Sequence, residues 1–463
     1  MSEKDIYVYA DWLEEPELIG TLHVSSGNGR ERTSFEYDGS WLENHPDMMI
    51  DPEIYPCPGR QYPSDGKHMF GVFFDSCPDR WGRLLMRRRE AMDARAEDRK
   101  PQKLLESDYL LGVYDETRMG AIRFALEPGG EFQSPDRRLA APPWATLREL
   151  ESASLAFENA QDPDEEKWLR QLLAPGSSLG GARPKANVKA PDGSLWIAKF
   201  PSKHDEWNAG AWEMVAHDLA KKCGLDVPEA KLLKFSNAGS TFLVRRFDRE
   251  GERRIPFASA MTMLGYTDGA DDVSYLEIAD FIKANCSKGD MRPDLHELWS
   301  RIVFSIAISN TDDHLRNHGF IYTDNGWKLS PLYDVNPNVY GGYLSLNIDL
   351  VDASLDFDVA LSAADEFDLE EPEARSRIAF IARTVASEWE RTATKHGLHR
   401  EQIERMRPAF DVAERYVKMH TKQPSLAEIC ASLEKSADPC RESKKPQEHE
   451  THDLLRLLNR LSS

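Results

Sequence analysis

The sequence contains no apolar run approaching the ~18 residues of a membrane span. It contains no Cys-x-x-Cys pair: Cys57, Cys77, Cys223, Cys286, Cys430 and Cys440 are scattered. The opening residues, MSEKDIYVYADW, show no positive region followed by an apolar stretch, so no signal peptide is apparent. These absences lead to an expectation of reduced thiols, a cytoplasmic location and no membrane partner. Positive charge is also short. Lys and Arg number 58 against 79 Asp and Glu, a net charge of −21. Nonspecific affinity for nucleic acid comes from cations neutralising phosphates, so a chain this acidic is a poor general binder of that backbone. No internal repeat is visible. What remains is a soluble globular balance, 40% hydrophobic and 30% charged over 463 residues. At roughly 100–200 residues per domain, that length accommodates two to four domains.

Alternation in Ile6, Val8, Leu18, Ile19, Leu22 and Val24 predicts a strand pair turning near Glu14–Pro16. Asp79–Ala96 reads as a helix carrying Arg80, Arg83, Arg87, Arg88 and Arg89. That cluster fits either a solvated face balanced by acids or a contact with a partner or nucleic acid. Leu110–Tyr114 and Gly120–Leu126 resemble a further strand pair. Residues 128–143, rich in Pro and Gly, have the composition of a linker. Beyond it, Trp144–Gln161 and Pro163–Leu173 look helical. Asn187–Ala190 and Leu195–Phe200 read as a hairpin across Asp192-Gly193. Glu206–Lys222 is a helix with Gly224 at its C-terminal cap, and two strands follow at Lys231–Phe235 and Thr241–Phe247. Most of the remainder is helix-like, in Tyr275–Ala284, Leu295–Ser309, Glu371–Gly397 and Arg400–His420. The tail, rich in Lys, Glu, Ser and Pro, has the composition of a mobile segment, with a short helix possible at Asp453–Leu461. The expected segments are 1–127 (β-rich), 128–143 (linker), 144–248 (small lobe), 249–420 (helical lobe) and 421–463 (tail).

Three pieces fit phosphoryl transfer from a nucleotide. The loop Ser177-Ser178-Leu179-Gly180-Gly181-Ala182-Arg183-Pro184-Lys185 has small residues that let backbone N–H groups approach a phosphate, and Lys185 adds charge. It is not a Walker A loop, and an ordinary connecting loop has the same composition. The second piece is Trp196-Ile197-Ala198-Lys199, a strand ending in Lys like the Val-Ala-Ile-Lys strand of protein kinases. Glu213 on the next helix can pair with Lys199. A snorkelling edge-strand Lys and a solvent-facing Glu are the plain alternatives. The third piece follows the apolar helix Leu298–Ser309. Asp312 and Asn317 have the Asp-x-x-x-x-Asn spacing of a kinase catalytic loop, where the carboxylate accepts a hydroxyl proton and the amide oxygen binds Mg²⁺. A hairpin follows at Gly319–Leu329, then Tyr333-Asp334-Val335, with Asp334 in the order of the kinase metal-binding Asp. The His-Arg that precedes the kinase Asp is missing, and Val335-Asn336 stands in place of Phe-Gly. A competing reading takes His314 and His318, four apart, as sharing one helix face and completing a hydrolase metal site with Asp312, Asp313 or Asp334. A catalytically silent interaction module is the third possibility.

Taken as a set, these residues resemble the HipA family of bacterial serine/threonine toxin kinases. The matching segments are Ser178–Lys185, Leu219–Pro228, Arg246–Arg249, Thr311–Asn317 and Leu332–Asp334, with Phe73-Phe74-Asp75-Ser76-Cys77-Pro78-Asp79 near the N-terminus. The resemblance implies an α+β, two-lobed protein-kinase-like fold behind a small β-rich N-terminal domain. It implies Asp312 as base, Asn317 and Asp334 on Mg²⁺, and Lys199 with its partner Glu213 on the ATP phosphates. Arg245–Phe247 would meet adenine through backbone groups, and Ser178, with Ser177 beside it, would be autophosphorylated. It also implies a helix-turn-helix, HipB-like antitoxin that carries most of the contact with operator DNA. An aminoacyl-tRNA synthetase is the implied target.

Overall fold

Ile6, Val8 and Ala10 sit at alternate positions of β1 (Ser2–Ala10) and are fully buried, as the alternation predicts. β1 pairs antiparallel with β2 (Glu17–Gly27), which pairs with β3 (Arg30–Tyr37). Asn28 and Gly29 link them, both at positive φ, the two-residue turn that matches strand twist. Among the described residues, which are 2–134, 141–158, 172, 181 and 183–420 of this computed structural model, the sequence reading omitted β3. The first core lies over this sheet and is aromatic, with Phe35, Trp41, Phe70, Phe73 and Phe124 buried. Short helices α1 (Gly39–Asn44) and α2 (Gly71–Asp75) cover it. Then α3 (Arg80–Ala96) lies within the helix expected at Asp79–Ala96, and the Asp79 carboxylate caps it by accepting from Gly82 N at 2.7 Å.

The expected strand at Leu110–Tyr114 is instead helix α4 (Glu106–Gly112). A short apolar run does not distinguish the two states by period. Here the Asp108 carboxylate accepts from Leu105 N and ties the first turn. The edge that such a strand would occupy is filled otherwise, because β4 (Ile122–Ala125) pairs with β1 and completes the order β3-β2-β1-β4.

The small lobe opens with α5 (Leu147–Phe157), shorter than expected. The helix expected at Pro163–Leu173 lies outside the described residues apart from Leu172. Next come β5 (Lys185–Lys189), β6 (Leu195–Lys199), α6 (Ala209–Lys222), β7 (Ala230–Leu233) and β8 (Thr241–Arg245). The strands form one sheet in the order β5-β6-β8-β7. Asn208 caps α6, and Gly224 past its end has φ +78°, a conformation open to glycine without strain. Gly210 in its first turn packs so closely that a Cβ would lie 2.1 Å from the Ser240 carbonyl oxygen.

The ribbon β9 (Arg249–Glu250) and β10 (Arg253–Arg254) leads to β11 (Phe257–Ser259) and α7 (Ala260–Met263). Helices α8 (Tyr275–Asn285) and α9 (Met291–Ile308) follow. From Leu298 onward α9 is buried on every side, as an all-round apolar helix must be. The hairpin β12 (Gly319–Thr323) and β13 (Gly326–Leu329) joins β11 in a three-stranded sheet. Then come α10 (Phe357–Ser362), α11 (Glu371–Lys395), α12 (Arg400–Met406) and α13 (Asp411–His420). Helix α11 packs on both α6 and α9, so Trp212, Val215 and Leu219 of α6 belong to the large-lobe core. The fold is two-lobed and kinase-like, mixed helix and sheet, behind the β-rich N-terminal sheet. Among the described residues no helix is long and apolar enough to cross a membrane. The tail at 421–463, with the helix expected at Asp453–Leu461, lies outside the described residues.

Candidate active site

Lys199 ends β6 with its ammonium turned into the space between the lobes. Its Nζ donates to Glu213 Oε1 at 2.5 Å and to Asp334 Oδ1 at 2.7 Å. Glu213 is therefore not a solvent-facing helix residue: it is buried on the face of α6 toward Lys199. Burial alone disfavours the Lys199 charge, but Asp334 and Glu213 outweigh it and keep the lysine protonated. Burial likewise pushes against an ionised Asp334, yet Lys199 and Lys185 hold its carboxyl down at about 2. Burial raises Glu213. Asp334 has φ +57°, a left-handed conformation that Asp tolerates better than most residues.

Helix α9 delivers the loop carrying Asp312. It ends at Ser309, also left-handed at φ +51°. Asn336 N donates to Asn310 Oδ1, Asn338 N to the Ser309 carbonyl, and Asn338 Nδ2 to Thr311 Oγ1, stapling the loop to the segment after Asp334. Asp312 is exposed to the cleft. Its pKa is raised, first by desolvation, with Asp334 and Asp313 adding and the His314 charge opposing. Asn317 is buried, and its Nδ2 donates to the Asp312 carbonyl at 2.9 Å, leaving the amide oxygen as a donor atom. This amide oxygen and the Asp334 carboxylate are hard oxygen donors, the type that suits Mg²⁺.

The loop does not put its histidines on one helix face. Only Leu315–Asn317 form a 3₁₀ turn, and His314 and His318 flank it in extended conformations. His318 is fully buried, 2.9 Å from Asp313 Oδ1 and edge-on to Tyr275. Burial pushes Asp313 up, but His318, Tyr275 and Ser305 together hold it below its ordinary value. Asp313 and His318 are thus committed to holding the loop from inside. No group of three or more His, Cys, Asp or Glu side chains gathers into a metal cluster among the described residues. The geometry opposes the hydrolase reading.

Beside Lys199 lies a mainly apolar slot walled by Ile197, Phe242, Val244, Leu332 and Val335, with Arg245 and Phe247 at its rim. The Phe247 ring packs 5.6 Å from Tyr333. Lys185 begins β5 and lies directly across the strand pair from Lys199. Its Nζ is 3.0 Å from Asp79 Oδ2 and donates to the Gly181 carbonyl. Ser177, Ser178 and Gly180 lie outside the described residues. Past the loop, Arg183 makes two bonds to the Asp205 carboxylate, at 2.8 and 2.6 Å.

The sequence reading missed a clamp behind the slot. Buried Arg246 grips Asp248 through two nitrogens and donates to the carbonyls of Thr117 and Arg118. Asp248 also accepts from Gly120 N and from Arg249. The charged run Arg245-Arg246-Phe247-Asp248-Arg249 is visible in the sequence, but its partners are not. In the Arg80–Arg89 cluster, Arg83 pairs with Glu106 and lies over the Tyr109 ring, and Arg89 pairs with Asp93, which favours the balanced-face reading for those two.

Comparison with known proteins agrees with this geometry. A family model, HipA-like C-terminal domain, matches residues 177–389. A Haemophilus influenzae protein named "Putative kinase" is 29% identical over 181 residues, 34% of this chain and 52% of its own length. "Putative kinase Y4dM" of Sinorhizobium fredii is 29% identical over 157 residues, 31% of this chain and 37% of its own length. The chain thus spans about half or less of these curated relatives. A chain of the Shewanella oneidensis MR-1 toxin–antitoxin complex of HipA, HipB and operator DNA superposes with a TM-score of 0.60 at 18% identity. That match covers 89% of this chain and 97% of the other, a likeness of fold. Residues 177–389 thus match the HipA-like C-terminal domain family, and they are set in a two-lobed fold like that of the HipA chain.

Proposed function

We propose that this chain is an ATP-dependent serine/threonine-protein kinase of the toxin type. The observation that carries the reading is the Lys199 ammonium joining Glu213 to Asp334. A lysine so placed meets the phosphates of a nucleotide whose base fills the apolar slot along Arg245–Phe247. Asp312, exposed and unpaired by any side chain among the described residues, accepts the proton of the attacking hydroxyl. Glu213 keeps Lys199 oriented, and α6 is anchored in the large-lobe core, which favours a pair that is formed before substrate arrives. Asn317 and Asp334 would hold Mg²⁺, which when bound neutralises charge on the phosphates. Segment 1–127 would serve as the N-terminal domain, 144–248 as the small lobe and 249–420 as the large lobe.

The same reading extends to regulation and partners. Ser178, or its neighbour Ser177, is the proposed self-modified residue. A phosphate there adds about −1.5 to −2 charge at pH 7, in a place where ATP phosphates must sit. The proposed partner is a HipB-like helix-turn-helix antitoxin, which brings operator DNA to an otherwise acidic chain. The proposed target is an aminoacyl-tRNA synthetase, the location cytoplasmic, and the outcome arrested translation and growth. The test is incubation of dephosphorylated protein with labelled ATP and Mg²⁺, wild type against Asp312→Gln, followed by mass spectrometry of the 177–185 peptide and of the cell's phosphoproteins. Label on Ser178 and on one synthetase in wild type alone is expected. An ATP-binding protein that labels nothing is an interaction module instead.

A further inference from the structure

The turn between α2 and α3 touches both lobes within five residues. At one end, Asp75 accepts from Ser259 N at 2.7 Å and from Ser259 Oγ at 2.8 Å. Ser259 caps α7 and is paired with Gly319, just past the Asp312–Asn317 loop. At the other end, Asp79 Oδ2 meets the Lys185 ammonium at 3.0 Å, with both side chains 2% exposed. Between them Ser76, Cys77 and Pro78 are buried, and the Ser76 carbonyl accepts from buried Arg118. Nothing in this turn faces the nucleotide slot, yet it holds the loop lysine on one side and the flank of the catalytic loop on the other.

Charge explains why the contact matters. Lys185 and Lys199 are directly opposed across β5 and β6. Like charges opposed on adjacent strands repel. Lys199 is offset by Glu213 and Asp334, and Lys185 by Asp79. A buried ammonium that loses its partner must move toward water or be desolvated at high cost.

We infer that Asp79 is a positioning residue for the nucleotide. Together with Asp75 it makes this turn a strut that fixes Lys185 and the start of β5 at a set distance from the catalytic loop. The inference rests on the kinase reading for its effect on ATP, but not for its effect on β5. A force applied to the N-terminal domain is therefore transmitted to the phosphate end of the site.

The test uses the full chain carrying Asp79→Asn, which keeps the helix cap, since Asn caps as well as Asp, and removes only the charge. Expected are faster deuterium uptake in residues 183–189 and a Kd for Mg·ATP raised about tenfold, with kcat changed much less. The Asp79→Asn/Lys185→Met double variant should regain protection at 183–189 while still binding ATP weakly. Unchanged exchange and unchanged Kd in Asp79→Asn overturn the strut. If that variant does not fold, the double variant decides by exchange: wild-type protection at 183–189 supports the inference, and fast uptake there overturns it. Should the wild type bind no ATP at all, the kinase reading fails, and the exchange comparison alone still decides the strut.

Discussion

Lys199 and Asp334, 135 residues apart in the chain, meet at 2.7 Å across the interlobe cleft. One comes from the end of a small-lobe strand and the other from a left-handed residue in the large lobe. Their contact is the geometric centre of the candidate site, because Glu213 and the Asp312 loop are arranged about it.

Lys199→Met removes the ammonium that pairs with buried Glu213. It should abolish Mg·ATP binding and lower stability by about 3–5 kcal/mol, the usual cost of leaving a buried charge unpaired. Isothermal titration and urea unfolding read the two effects separately. Adding Glu213→Gln should recover most of the stability and none of the binding.

Asp312→Gln should behave in the opposite way. The side chain is exposed and makes no side-chain hydrogen bond among the described residues, so its loss should leave stability within about 0.5 kcal/mol. Phosphoryl transfer should fall by about 10²–10⁴-fold, as expected for loss of a general base. Single-turnover kinetics with ATP bound measures this directly.

The pH profile follows from the same carboxylate. Desolvation raises the Asp312 pKa, and only its ionised form accepts a proton. The transfer rate should therefore fall, as pH drops, at values above the ordinary carboxylate range. His314 charge opposes that rise, so His314→Gln should move the acid limb to still higher pH. A pH profile of kcat/KM for both proteins checks the sign.

Asp248→Asn tests the clamp that ties Arg246–Arg249 to residues Thr117–Gly120 of the N-terminal segment. Burial resists ionisation of Asp248, but Arg246 and Arg249 bring its carboxyl from 3.8 down to about 2. A depressed carboxylate adds stability above its unfolded value and loses it as pH falls from about 4 toward 2. That contribution is about 2 kcal/mol at neutral pH. The variant should lose it, together with further stability from two buried guanidinium groups left without a carboxylate. Urea midpoints at pH 7 and pH 3 give the comparison.

Several elements were legible because their signals are local. Gly224 as a helix cap, Asp192-Gly193 as a turn and the apolar period of Trp212, Val215, Ala216 and Leu219 each depend on neighbours within a few residues. The failures were also local. Leu110–Tyr114 has too few residues for its period to separate strand from helix, and four-residue spacing at His314 and His318 says nothing about whether a helix lies between them. Asn28-Gly29 is a strong hairpin signal that the alternation-based reading passed over.

The sequence by itself determined the chemical inventory and its order: a lysine ending a strand, a glutamate on the next helix, an Asp and an Asn five apart after an apolar helix, and a further Asp beyond a hairpin. Only the tertiary structure decided which charges meet. It turned Asp313 and His318 inward while leaving Asp312 to the cleft, and it joined Asp79 to Lys185. Residue spacing sets which side chains share a strand or a helix face. Burial and charge pairing between distant segments depend on how whole sheets and helices pack, and that information is spread over the entire chain.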